Sequence, residues 1–278
     1  MYDHSSSIEA IEQPGQFERN VMVSIETNPI DTSTFSQTST SEFAWRQSFY
    51  LMGLTELNLG TPNLAVVLAP HPADESLGLG GTMSTLLSKG TTVIVVTATD
   101  GPHSRPSGPR SVRKGSTSRR LNETRAAINT LGEERHGNVL NVQLHLPFGN
   151  LAGVETELEQ HVGRFLGPND ICFSTWELDG HPDREAAGRA ARRASLDTGA
   201  RHFQFPIDLW SWGSVDDTTL PWRDAHRVSL GADDHARKSR AIGCYGPEPE
   251  LTDDFHGREM MSSNVLAHFQ RSFEVIFN

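Results

Sequence analysis

From Leu64 onward, short apolar runs alternate with longer stretches whose apolar residues recur at helical spacing. LAVVLAP (64–70) is continuous and strand-sized, which suits a strand buried on both faces. ESLGLGGTMSTLLSKG follows, with Leu77, Leu79, Met83, Leu86 and Leu87 at roughly helical spacing and Gly90 as a stop. TTVIVVTATDG (91–101) predicts a second strand, RRLNETRAAINTLG (119–132) a helix ending at Gly132, and NVQLHL (141–146) a third strand. ETELEQHVGRFL (155–166) predicts a helix, DICFSTW (170–176) a fourth strand, DREAAGRAARRAS (183–195) an Ala-rich helix, and HFQFPIDLWSW (202–212) a fifth, aromatic strand. This βαβα order predicts a three-layer α/β/α arrangement with a mainly parallel central sheet.

Residues 1–42 break the pattern. They hold a polar, Ser/Thr-rich tract and read as a loosely ordered arm ahead of a domain over 43–278, in which Phe43 and Trp45 cover an edge of the core. The Pro-, Gly- and Arg-rich segment 101–118 reads as a long loop near the strand ends.

Composition removes several classes of function. A net charge of −11 disfavours nucleic acid or an anionic membrane surface as partner. No apolar run approaches the ~18–20 residues needed to span a bilayer, and the N-terminus lacks the basic start and apolar stretch of a secretory leader. A cytoplasmic location is the expectation. Two cysteines cannot build a disulfide framework or a Cys-rich zinc site, and Cys172, inside ICFSTW, reads as a small buried hydrophobe. Gly78, Gly80 and Gly81 are not a dinucleotide fingerprint, because His-Pro-Ala-Asp-Glu separates them from the strand; they read as sites of close helix–sheet packing. The acid pairs Asp216-Asp217, Asp233-Asp234 and Asp253-Asp254 read as solvated loop faces.

In open parallel sheets, ligands bind beyond the carboxyl ends of the strands. The first strand ends at His71, Asp74 and Glu75, the second at Asp100-Gly101, and the fourth at Glu177, Asp179, His181 and Asp183. A histidine and a carboxylate three residues apart in a strand-to-helix turn can reach one cation such as Zn²⁺. A His-Pro-Asp turn opening a helix can bring another imidazole and carboxylate to the same crevice, as ligand, acid or base. Asp74, Glu75 and Asp183 also have a plainer reading as acids at helix N-termini.

APHPADESLGLGG (69–81), TATDG (97–101), Arg120-x-x-Glu123 before an Ala-rich helix, DGHPDREAAGRAA (179–191), FPIDLWSW and VLAHFQRSFEVIF together resemble the PIG-L/LmbE family of zinc-dependent N-deacetylases, from about Trp45 onward. The resemblance implies a Rossmann-like fold and hydrolysis of an N-acyl, typically acetyl, group on an N-acetylglucosamine-type amino sugar or glycoconjugate. It maps zinc ligands onto His71 and Asp74 and the oxyanion-stabilising histidine onto His181. Asp100, Arg120, Glu123, Arg184 and Trp210 are the expected substrate-binding residues; Trp210 and Trp212 suit stacking on a sugar or ring, although aromatic residues in a strand are also commonly core.

The chain departs from the family pattern at key positions. Ala73 stands where the base should be, Arg184 where the third ligand should be, Phe148 where an acid is common, and Ser211 where a histidine is common. A methyl group takes no proton, and a guanidinium has no lone pair for a metal. Two outcomes follow. Either His181 moves into the third ligand position for one divalent ion, with Asp183 or Glu75 as base, or the metal is lost and Arg184 with His181 forms a sugar- or anion-binding pocket on a silent scaffold.

Overall fold

The expected strand–helix alternation organises the structure, a computed structural model that describes residues 40–101, 110–246 and 263–278. Eight strands form one sheet: β1 (Thr55–Glu56), β2 (Leu64–Ala69), β3 (Thr92–Thr99), β4 (Val139–Leu146), β5 (Ile171–Thr175), β6 (Arg201–Phe205), β7 (Ala225–Ser229) and β8 (Phe273–Phe277). Their order is β1-β7-β8-β6-β5-β2-β3-β4. All neighbouring pairs are parallel except those of β8, which runs antiparallel to both β6 and β7.

The nine α-helices of the described residues are α1 (Glu42–Trp45), α2 (Phe49–Met52), α3 (Asp74–Ser88), α4 (Arg110–Gly132), α5 (Glu155–Gly163), α6 (Pro182–Thr198), α7 (Leu209–Trp212), α8 (Ala232–Ile242) and α9 (Ser263–His268). The continuous apolar run of β2 is explained by two covered faces. Ala65 and Val67 join one core with Leu77, Leu79, Ile128 and Phe205. Val66 and Leu68 join a second core with Leu158, Val162, Ala187 and Ala190. Gly78 lets α3 approach the sheet, since a Cβ there would lie 2.2 Å from the Phe205 ring.

Several boundaries differ from the sequence expectation. The aromatic segment 202–212 is not one strand: β6 stops at Phe205, Pro206 interrupts the ladder, and buried Asp179 accepts the backbone N–H groups of Ile207, Asp208 and Leu209, turning the chain into α7. Helix α4 begins at Arg110, inside the segment read as loop. Residues 1–39, most of the expected arm, and residues 102–109 lie outside the described residues, as does Asp253-Asp254. Of the last residues assigned to the arm, Thr40 bonds the Gly213 carbonyl and Glu42 opens α1. Trp45 is buried, whereas Phe43 is exposed. Asp233-Asp234 is no loose loop: it opens α8, and Asp234 accepts from Ser84, Thr85 and Arg135.

A candidate site at the strand switch point

Successive crossovers run from β2 outward through β3 and β4 on one side and from β5 to β6 on the other. The sheet therefore reverses its winding between β2 and β5, and a crevice opens at their carboxyl ends. The two His/acid clusters of the sequence meet there. His71 follows β2, and its Nε2 lies 3.0 Å from Oδ2 of Asp183, in the first turn of α6. The rings of His71 and His181 meet edge to face, 4.9 Å between centroids, and Phe148 packs on His71 at 4.8 Å.

Helix α6 starts where the sequence dictates. Pro182 occupies its first turn, where no N–H is missed, and His181 is the cap, its Nδ1 accepting the Asp183 N–H at 3.1 Å. Burial, then the charges of Arg184 and His71, lower the His181 pKa to about 3, so the ring is neutral. Burial alone would raise the pKa of Asp183. The His71 hydrogen bond and the amides of Leu151 and Gly149 outweigh it and lower the value, so Asp183 is an ionised acceptor.

Asp74 is fully buried and faces a different partner. Arg184 approaches it with Nη2 at 2.9 Å from Oδ1 and with Nε at 3.3 Å from both oxygens. Arg184 Nη1 reaches Asp208 Oδ2 at 2.5 Å, and its Nε lies 3.9 Å from Asp179. The Arg184 side chain is 4% exposed. Its pKa is pushed up despite burial, because the charges of Asp208, Asp74 and Asp179 outweigh desolvation. Burial and the neighbouring Asp208 charge raise Asp179 well above the usual carboxylate range. Arg184 is therefore enclosed by acids and is not the open anion-binding arm envisaged from the sequence.

Other expected residues also fall differently. Glu75 is fully buried against Tyr245, whose hydroxyl donates to Oε1 at 2.5 Å, and Ser76 donates to the same oxygen. Burial raises its pKa, and its enclosure by Tyr245 and Ser76, away from the His71–Asp183 pair, makes it a packing residue unsuited to the role of base. Trp210 is 3% exposed, edge-on to Trp45 and beneath the Arg271 guanidinium, so its ring has no face for a substrate. Trp212 is the tryptophan near the crevice: it is 37% exposed and donates to the Asp179 carbonyl. Asp100 pairs with His145 and Gln143 of β4, in a turn that abuts Pro72. Arg120 and Glu123 pair with each other, and Glu123 also takes Arg119 and the Gly246 amide, in an ion network on α4. Asp208 was missed, although a carboxylate inside the apolar FPIDLW signals a buried acid in need of a partner. Nothing in the sequence around Tyr245 points to Glu75.

Among the described residues, His71, His181 and Asp183 form a group that could hold a metal ion, one ligand atom from each lying within 4.8 Å of the others. Their hydrogen bonds point elsewhere. Because Asp183 is an acceptor, the His71 Nε2 that meets it carries a proton; because His181 Nδ1 accepts a backbone N–H, its proton sits on Nε2. His71 Nδ1 is left facing Asp74, 3.6 Å away. The expected zinc ligands His71 and Asp74 do not fit an ion as they stand. One bound to Asp74 at about 2.1 Å would sit within roughly 5 Å of the Arg184 guanidinium, a repulsion on the order of 6 kcal/mol.

Fold and crevice thus define an α/β protein with a His/Asp site at the switch point of a mainly parallel sheet. Residues 66–195, from β2 to α6, match the PIG-L family model, described as GlcNAc-PI de-N-acetylase. Among solved structures it is similar to the zinc-inhibited form of teicoplanin deacetylase Orf2, with 17% identity over 77% of this chain and 97% of that one and a TM-score of 0.51. A triple mutant of a deacetylase of teicoplanin biosynthesis gives 15% identity, 77% and 96% coverage and a TM-score of 0.53. The A40926 pseudoaglycone deacetylase Dbv21 gives 18%, 78% and 97%, with a TM-score of 0.50. At these identities the likeness establishes the fold. No curated protein matches the chain.

Proposed function

We propose that the protein is a hydrolase acting on the N-acyl group of an amino-sugar-type compound, an acetyl group in the simplest case. The PIG-L match supports the class of reaction. The observation that carries the site is the His181 cap, which fixes a neutral ring with its proton on Nε2. A neutral N–H donor suits the oxygen of an amide carbonyl as negative charge develops on it, and loss of one such donor typically costs about 10²–10³-fold in rate. His71 and Asp183 hold the ring edge-to-face and anchor the turn that carries it. The half-buried Phe148 and the Trp212 ring supply apolar surface suited to a sugar.

The metal-assisted route is not part of the proposal, because Asp74 is already bonded to Arg184. Ala73 offers no proton acceptor, so turnover is slow; an absent base typically costs about 10²–10⁴-fold. No helix among the described residues is long and apolar enough to cross a membrane, and we place the reaction in the cytoplasm.

Acetate release from N-acetylglucosamine and its glycoconjugates, compared between wild type and His181→Ala, tests the reading. A loss of about 10²-fold or more is expected; release that is unchanged in the variant rejects the role of His181. The closed Asp74–Arg184 pair and the methyl of Ala73 favour a second reading, a sugar-binding protein without turnover. Binding of N-acetylglucosamine that weakens in Trp212→Ala, with no acetate released, would establish that reading instead.

A further inference from the structure

We propose that Arg184 is the built-in counter-cation of this centre and that its guanidinium takes the place of a divalent ion at Asp74. The inference holds whether or not the protein releases acetate, so it stands apart from the hydrolase reading. It begins with charge. Asp74 and Asp179 are completely buried and Asp208 is partly so, yet all three converge on one side chain. A buried carboxylate needs a cation or a proton. Asp179 stands furthest off, 3.9 Å from Nε, and Asp74 and Asp208 are the acids that the guanidinium touches directly. Arg184 meets both with separate nitrogens, a division of labour that a planar fork of five donors allows and a point charge does not.

The guanidinium is also held in place. Thr175, the last residue of β5, donates its hydroxyl to the Arg184 carbonyl at 2.9 Å and ties this turn of α6 to the sheet. Asp74 in turn accepts the His71 N–H at 3.2 Å, while its own N–H returns to the His71 carbonyl. This closes the tight turn in which Ala73 takes a left-handed φ of 86°. Arg184 therefore acts through Asp74 on the 71–74 turn, as a positioning residue for His71. A divalent ion would have to displace the guanidinium, a cation that cannot lose its charge.

The test is metal content and melting temperature. After loading with excess zinc and dialysis, the wild-type chain should retain roughly a tenth of an equivalent or less, since two ligands beside a cation make a poor site. Its melting temperature should not change on adding a chelator. Arg184→His should gain about one zinc per chain and a melting temperature that rises with zinc. Arg184→Met should melt lower than wild type, and adding Asp74→Asn should recover part of that loss. One zinc per wild-type chain that disappears in His71→Ala, or a wild-type melting temperature that falls with chelator, overturns the proposal. So does an Arg184→His variant that folds but takes no zinc. If Arg184→His does not fold, the two wild-type measurements still decide.

Discussion

Asp74 and Glu75 are adjacent acids in one helical turn, both fully buried, and they meet different partners. Asp74 meets a guanidinium; Glu75 meets only hydroxyls, with one oxygen unpartnered, and burial raises its pKa above the ordinary 4.5. The sign of its linkage follows. A group that binds its proton more tightly when folded contributes stability below its unfolded pKa and loses it as pH rises through the folded value. Wild-type stability should therefore fall with rising pH above about 4.5, and Glu75→Gln should remove that slope; parallel denaturant titrations across pH 4–8 read it directly. Tyr245→Phe should cost about 1–3 kcal/mol, because it strips a hydrogen bond from a buried acid. The sequence reading had both acids at the site, since two carboxylates after a strand look alike until their partners are known. Those partners, Arg184 and Tyr245, lie 110 and 170 residues away, a distance at which spacing is silent.

At the scale of elements, α6 was the most legible and is also the most consequential. His-Pro-Asp at its start and the Ala187–Ala190–Ala191–Ala194 face mark its position and its buried side, whereas its end at Thr198, before the left-handed Gly199, lies beyond the expected 183–195. The closeness of its approach to β5 was not legible. A Cβ on Gly188 would lie 2.7 Å from the Thr175 carbonyl and 2.9 Å from the Glu177 nitrogen, both backbone atoms that cannot swing aside. Gly188→Ala should thus destabilise by about 3 kcal/mol and shift the turn that carries His181, Asp183 and Arg184. Thermal unfolding measures the first effect, and faster hydrogen exchange of the His181, Asp183 and Arg184 amides the second. Unchanged stability would mean that α6 can slide. The strands β7 and β8 were unreadable for the opposite reason. AHRVS is short and polar on one face, and FEVIF follows sixteen residues outside the described set and a one-and-a-half-turn helix, with no periodic neighbour to frame it.

For the molecule as a whole, the described residues are closed by contacts between its first and last elements. Glu42 of α1 accepts from His268 at the end of α9 and from Arg271 just beyond it, and Arg271 lies over Trp210. Burial would raise the Glu42 pKa, but the His268 and Arg271 hydrogen bonds and the Arg271 charge outweigh it and hold the value at about 2. The sign is the reverse of that for Glu75. The stability Glu42 contributes is complete above its ordinary 4.5 and is lost as pH falls toward 2. Comparing Glu42→Gln with wild type should show the two converging at acid pH and separating above it. A constant gap would mean that the carboxylate charge is not the link.

The antiparallel β8 has a consequence for how the protein is made. It is wedged between β6 and β7, so a chain extended only to about residue 270 holds two sheet fragments, β1–β7 and β6–β5–β2–β3–β4, each with an open edge. All seven other strands of the sheet must leave the ribosome before the five residues that join them arrive. During that interval the edges of β6 and β7 are free to pair with a neighbouring nascent chain, a hazard of domains completed late. Ribosome-bound chains stalled with residue 270 clear of the exit tunnel should be cut rapidly by protease, and those carrying residues 273–277 into the open should resist it.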